Sequence, residues 1–208
     1  MSAVCKTLDV RSNKVKSLLE YCKNPDKTSC YRNGYANDCF GSIVDGQFRS
    51  DILVTGVKCD KDTAALQFRA AQDDYRYYHG TNEQHQPFEY TDKKTGETRT
   101  VVKKPVAAVH LIQSFNNRNI DPHLVHDIGV ELVRRLGVQA VVCTHMNEPC
   151  LHNHIVINSY TSEHSKWACN LEERRRLRKL SDDIQREFGL RVTHKDPTKI
   201  PKKKSKKK

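Results

Sequence analysis

Two apolar, β-branched runs joined by a short turn constrain this chain more than any other feature. Val138 to Thr144 reads as one strand and Leu151 to Ser159 as another. Glu148-Pro149 in the intervening turn lets the second strand fold back antiparallel on the first. Strand alternation puts His152, His154, Val156 and Asn158 on one face, and His145 stands at the end of the preceding strand. The spacing therefore predicts three imidazoles converging from adjacent strands. Neutral imidazole is the commonest ligand for a divalent metal, and three protein ligands leave positions open for substrate and water. A His-x-His pair alone is more often a polar strand face; the third histidine and the acidic turn tip the reading toward a metal centre. Cys143 shares a face with His145 while Cys150 lies outside the strand, so a tetrahedral zinc set including a cysteine is not forced.

The rest of the chain supplies the elements that would surround this hairpin. Residues 14–23 read as a short helix stopped by Asn24-Pro25. Residues 28–50, rich in Tyr, Asn, Gly and Ser, read as loop with one short strand. Residues 61–79 are helical in pattern, with Ala64, Ala65, Phe68, Ala71, Tyr75 and Tyr78 at helical spacing, and 80–104 is a polar hairpin or loop. Val106 to Ile112 is an apolar strand. Asp121-Pro122 opens a helix with an N-cap and Pro at N1; Leu124, Ile128, Leu132 and Leu136 share a face and Gly137 ends it. A last helix starts at Asn170 with Glu172 and Glu173 in its first turn and ends near Gly189. The order β-α-β-β-α after an initial helix predicts an α+β fold built on an antiparallel sheet.

Composition narrows the class. The 208 residues suit one domain plus a tail, and the net charge of +11 is partly a tail effect, since Lys202 to Lys208 hold six lysines. No apolar run approaches the roughly 20 residues of a membrane span, and Met1 to Lys6 lacks the apolar stretch of a secretory signal. The expectation is a soluble, cytoplasmic protein without membrane insertion. There its eight cysteines, none in a CxxC pair, would stay free thiols.

Three segments in order resemble a known family. They are Leu19-Glu20-Tyr21-Cys22-Lys23-Asn24-Pro25-Asp26-Lys27-Thr28, then Val109-His110-Leu111-Ile112-Gln113-Ser114-Phe115, then the histidine block; the stretch from Leu177 to Leu190 fits as well. Together they are similar to the relaxase/mobilisation nucleases (MobP-type) of conjugative and mobilisable elements, within the HUH endonucleases. The resemblance implies a central five-stranded antiparallel sheet flanked by helices, spanning 1–190, with 191–208 as a basic tail. It implies a strand transferase that nicks one DNA strand at an origin of transfer through a 5′-phosphotyrosyl intermediate. Tyr21 would be the nucleophile and His145, His152 and His154 the ligands of a divalent ion, Mg2+ or Mn2+, although three histidines also hold Zn2+.

Around that centre the resemblance places His110, Gln113 and Ser114 beside DNA or the active site, with Asn147, Glu148 and Asn158 as supporting polar groups. Asn147 and Cys150 stand where many relatives carry Asp and His. Lys27 and Thr28 would contact phosphate. The basic run Arg174, Arg175, Arg176, Arg178 and Lys179 would line a groove for single-stranded DNA. Accessory relaxosome proteins and a type IV secretion coupling protein are the implied partners. Taken by itself, Tyr21 reads as an amphipathic-helix tyrosine packed on the core, and Tyr31 and Tyr35 compete for its role. Two alternatives stand beside this reading: a rolling-circle replication initiator, and a non-catalytic, metal-stabilised DNA-binding module. The first usually carries its tyrosine on a helix after the histidines, where this chain has only Tyr160, at a strand end.

Overall fold

The computed structural model describes residues 3–37, 41–44, 46–80, 87–92, 95–102, 105–115 and 119–192. In chain order these form β1 (Ala3–Arg11), α1 (Val15–Cys22), α2 (Pro25–Thr28), β2 (Ser42–Val44), β3 (Gln47–Arg49), β4 (Val54–Val57) and α3 (Ala64–His79). Then follow β5 (Pro87–Thr91), β6 (Thr98–Val102), β7 (Val106–Phe115), α4 (Pro122–Leu136), β8 (Ala140–His145), β9 (His152–Asn158) and α5 (Leu171–Glu187). Strands β1-β7-β9-β8-β4 make a five-stranded sheet, antiparallel at every pairing. Two small hairpins, β2-β3 and β5-β6, stand outside it. The α+β class, the antiparallel return at residues 146–151 and the three central strands are as the sequence predicts. The edge strands β1 and β4 are not among its predicted elements. The lysine run lies outside the described residues.

Strand alternation sorts the sheet into two faces. On one, Val109, Leu111, Val142, Ile155 and Ile157 pack with Val125, Ile128 and Leu132 of α4 and Leu177 and Ile184 of α5. On the other, Ala108, Val141, Cys143 and Val156 pack with Val15, Leu19 and Cys22 of α1 and Ala64 and Phe68 of α3. Every residue of β8 and β9 is buried, because both strands sit inside the sheet with helices on either side. The caps form where predicted: Asp121 accepts from the His123 amide, Asn170 from the Glu173 amide, and Gly137 takes the left-handed conformation that closes α4. In α3 the buried stripe is Ala64, Phe68 and Gln72. Tyr78, expected on that stripe, is exposed and packs its ring on His164.

Gly129 sets how closely α4 approaches β9. A side chain there would come within 2.5 Å of Asn153 Nδ2. Its absence lets the Asn153 amide reach across to the Val125 carbonyl at 2.7 Å, tying the helix to the strand that carries two of the histidines.

Candidate active site

β8 and β9 pair so that His145 stands directly opposite His152, and Cys143 opposite His154. His145, His152 and His154 thus emerge side by side on the α1/α3 face, beyond the C-terminal end of α1. Their ring centroids are 4.2 Å (His145–His154), 4.9 Å (His152–His154) and 5.3 Å (His145–His152) apart. One ligand atom from each lies within 4.8 Å of the others, and all three side chains are buried.

Hydrogen bonds to carbonyls fix which nitrogen of His145 and of His152 is free. His145 Nε2 is 2.9 Å from the Cys22 carbonyl, which can only accept, so Nε2 carries the proton and Nδ1 keeps its lone pair. His152 Nδ1 likewise donates to the Cys150 carbonyl at 3.0 Å, leaving Nε2. His154 Nδ1 is 2.7 Å from His110 Nε2. With His154 as the donor in this pair its Nε2 is left as an acceptor; that atom is buried without a hydrogen-bond partner among the described residues. An unmet buried polar atom costs about 1–3 kcal/mol, and a cation among the three rings would remove that cost. Burial drives the pKa of His145 down to about 4, and that of His154 to about 2 with help from the neighbouring imidazoles and Lys27. Burial and Lys6 lower His110 to about 4. These rings are neutral at pH 7, the form that binds a metal.

Tyr21 closes the cluster from α1. Its ring centroid is 5.7 Å from those of both His145 and His154, and the side chain is 49% exposed. That half-open position replaces the core-packed tyrosine that an amphipathic helix suggests. Pro25 and the Asn24 side chain, which accepts from the Asp26 amide, then turn the chain into α2. The Lys27 carbonyl accepts from the amide of Met146, the residue after His145, and the Lys27 ammonium lies 3.6 Å from the Tyr21 ring centroid. Backbone hydrogen bonds therefore hold tyrosine, lysine and histidines together.

A model of the MobA/VirD2-like relaxase nuclease domain matches residues 43–190. The chain belongs to that family. It is similar to the Rlx protein of Staphylococcus aureus, with 33% identity over 117 residues, which are 54% of this chain and 37% of that protein. It is also similar to the group II intron-interrupted relaxase LtrB of Lactococcus lactis subsp. cremoris, at 27% identity over 217 residues, covering 92% of this chain and 34% of that one. This relaxase domain thus spans about a third of the length of the curated relatives it matches. A chain solved in work on vancomycin resistance transfer in Staphylococcus aureus superposes with a TM-score of 0.49 and 11% identity, over 92% of this chain and 96% of that one.

The other expected site residues of the relaxase domain separate. His110 joins the cluster through His154. Ser114 is half-buried at the end of β7 opposite His152, and Asn147 and Glu148 are exposed in the turn between β8 and β9. Asn158 shares the histidine face but sits four residues, about 13 Å, along the strand. There its amide donates to Gln139 and its carbonyl accepts from the Tyr160 amide, so it does not reach the cluster. Gln113 and Thr28 are fully buried and cannot touch DNA as expected: Gln113 bonds Ser181 and Asn153 on the opposite face, and Thr28 bonds the Asn24 carbonyl. Arg174, Arg175 and Arg178 are exposed on α5, which covers the α4/α5 face, so they do not border a cleft over the histidines.

Two features escape the sequence reading. Cys22, rather than Cys143 or Cys150, brings its thiol to His110 and His154. Behind the histidines runs a buried polar chain. Thr144 donates to Asn153 Oδ1, so it accepts from His126 Nδ1; His126 Nε2 then accepts from Thr55. Asn153 donates to Gln113, and Gln113 to Ser181. The visible signal was Asn153 itself, a polar residue between two histidines in an otherwise apolar strand.

Proposed function

We propose that this chain nicks one strand of DNA at an origin of transfer by transesterification, with Tyr21 as nucleophile and a divalent ion held by His145, His152 and His154. Residues 1–190 are the nuclease domain and 191–208 a basic tail. One observation carries this reading: the Tyr21 ring packs against two of three histidines that each bring a ring nitrogen within 4.8 Å of the others. When bound, the ion polarises the scissile phosphate and stabilises charge on its oxygens.

The chain's own groups supply the rest. Tyr21 Oη attacks phosphorus and loses its proton as the O–P bond forms; the 3′ oxygen departs and gains a proton. The products are a 5′-phosphotyrosyl protein and a free 3′-OH, with the ester conserved for later rejoining. Lys27, held over the Tyr21 ring, puts a positive charge where the phosphodiester must approach. The Cys22 and Cys150 carbonyls hold His145 and His152 in tautomers with one nitrogen free for an ion, and His110, by accepting from His154, would do the same for the third ring. The substrate is single-stranded origin DNA, reached in the cytoplasm, with Mg2+ or Mn2+ as the working ion. Accessory relaxosome proteins and a secretion coupling protein complete the assembly. The rolling-circle alternative finds no support in Tyr160, which is fully buried against Tyr75.

A labelled single-stranded origin oligonucleotide, incubated with the protein and Mn2+, tests this. A covalent adduct on a denaturing gel is expected, lost in Tyr21→Phe while DNA binding persists. An adduct that survives Tyr21→Phe and maps to Tyr31 or Tyr35 would move the nucleophile. Cleavage unaffected by His152→Ala and His154→Ala would remove the metal assignment.

A further inference from the structure

Cys22 takes no part as a thiol in the proposed reaction, yet it meets the histidine cluster twice. Its carbonyl accepts from His145, and its fully buried side chain forms a second group with His110 and His154 in which one ligand atom from each residue lies within 4.8 Å of the others. His154 is common to this group and to the three-histidine group. We infer that two overlapping metal sets share His154, and that the sulfur-bearing set, Cys22-His110-His154, captures a thiophilic divalent ion such as zinc at the expense of the three-histidine set. This inference rests on the metal reading of the three histidines given above.

Donor chemistry separates the two sets. Thiolate is a soft ligand that favours zinc and cobalt over magnesium and manganese, whereas three imidazoles opening to water and phosphate accept the harder ions. Binding at Cys22 breaks the S–H bond, forms the metal–sulfur bond and releases the proton to solvent.

Occupancy is exclusive because of the His154 ring. An ion using Nε2 takes the atom that the three-histidine set needs. An ion using Nδ1 displaces the bond to His110, and the remaining ring proton then sits on Nε2, which loses its lone pair. Either way His154 leaves the three-histidine set, and an ion held by Cys22 acts as an off state for the site beside Tyr21. The structure thus offers a route by which zinc antagonises manganese without competing for all three of its ligands.

The test uses the whole chain, stripped of metal and given one equivalent of Co2+ or Zn2+. Cobalt should produce a sulfur-to-metal charge-transfer band, and X-ray absorption of the zinc form should show a sulfur neighbour at about 2.3 Å. Both signals should vanish in Cys22→Ser and in Cys22→Ala and persist in Cys143→Ser and Cys150→Ser. Zinc affinity by calorimetry should fall roughly 10–100-fold in the Cys22 variants while manganese affinity holds. Wild-type protein that binds cobalt through nitrogen alone would overturn the inference and leave the three-histidine reading intact. Failure to bind either metal would sink both. A sulfur signal that survives both Cys22 variants would assign the thiol elsewhere and also overturn it. Because the wild-type spectra alone can refute it, the test does not depend on any variant folding.

Discussion

Residues 152, 153 and 154 alternate between two faces of one sheet, and the two faces treat their polar atoms differently. On the α4/α5 face Asn153 is fully engaged: its carbonyl accepts from Thr144, and its amide donates to Gln113 and to the Val125 carbonyl. On the α1/α3 face His152 and His154 each have one nitrogen held, and His154 Nε2 is buried with no hydrogen-bond partner among the described residues. Both faces bury polar side chains under helices. Satisfied groups hold structure; an unpartnered nitrogen beside two further imidazoles is a candidate ligand atom.

The sharpest way to break this contrast is to remove the unsatisfied group. His154→Ala should weaken Mn2+ binding by at least roughly 100-fold, about 3 kcal/mol, read by calorimetry, and abolish nicking in parallel. Metal affinity close to wild type would mean that the orphaned nitrogen is a packing defect and not a ligand.

Asn153→Ala should do the opposite. It removes one partner each from the Thr144 hydroxyl, the Val125 carbonyl and the Gln113 side chain, so unfolding stability should drop by about 3 kcal/mol. Urea denaturation would show this as a lower midpoint at unchanged slope.

Acid should also tell the faces apart. His126 lies in the satisfied chain between two threonines, and burial lowers its pKa from 6.5 to about 4. Because the folded value lies below the unfolded one, its contribution is fully present above pH 6.5. That contribution drains away as the pH falls toward 4, by roughly 3 kcal/mol in total. His126→Gln should therefore be less sensitive to acid than wild type by up to that amount in the metal-free protein. Equal acid sensitivity would show that His126 does not titrate with unfolding.

The smallest effect concerns the outer surfaces. Lys27→Ala should reduce the slope of log affinity for single-stranded DNA against log salt by about 0.7, one phosphate contact. Arg175→Ala with Arg178→Ala, on the helix behind the other face, should leave that slope unchanged. A loss from the arginine pair would show that the strand wraps around α5.

Much of this contrast was legible in the linear sequence, and its limits are physical. Alternation along β9 and a tight turn are local, so the convergence of His145, His152 and His154 could be read directly. The cap residues Asp121 and Asn170 and the Gly137 stop were equally local. β1 and β4 were not legible. β1 mixes Lys6, Leu8 and Asp9, with Leu8 left exposed at the sheet edge, and β4 is four residues long with Gly56 inside it. Neither carries a period strong enough to stand out, and both are strands because β7 and β8 offer them open edges. Gln113 and Thr28 are buried, and the α5 arginines stand on the face opposite the histidines, for a related reason: residue type says what a group can bind, while burial and side of the sheet say what it can meet.

The sequence by itself determined the histidine spacing, the antiparallel return of β9 on β8 and the tyrosine-bearing helix that precedes Asn24-Pro25, because each depends on chain geometry over a few residues. Only the tertiary structure decided that Tyr21 faces His145 and His154, that His110 holds the ring of His154, and that Cys22 lies within reach of both. Those meetings join segments 44 to 123 residues or more apart through the packing of α1 on the sheet and the pairing of β7 with β9. No local period encodes them.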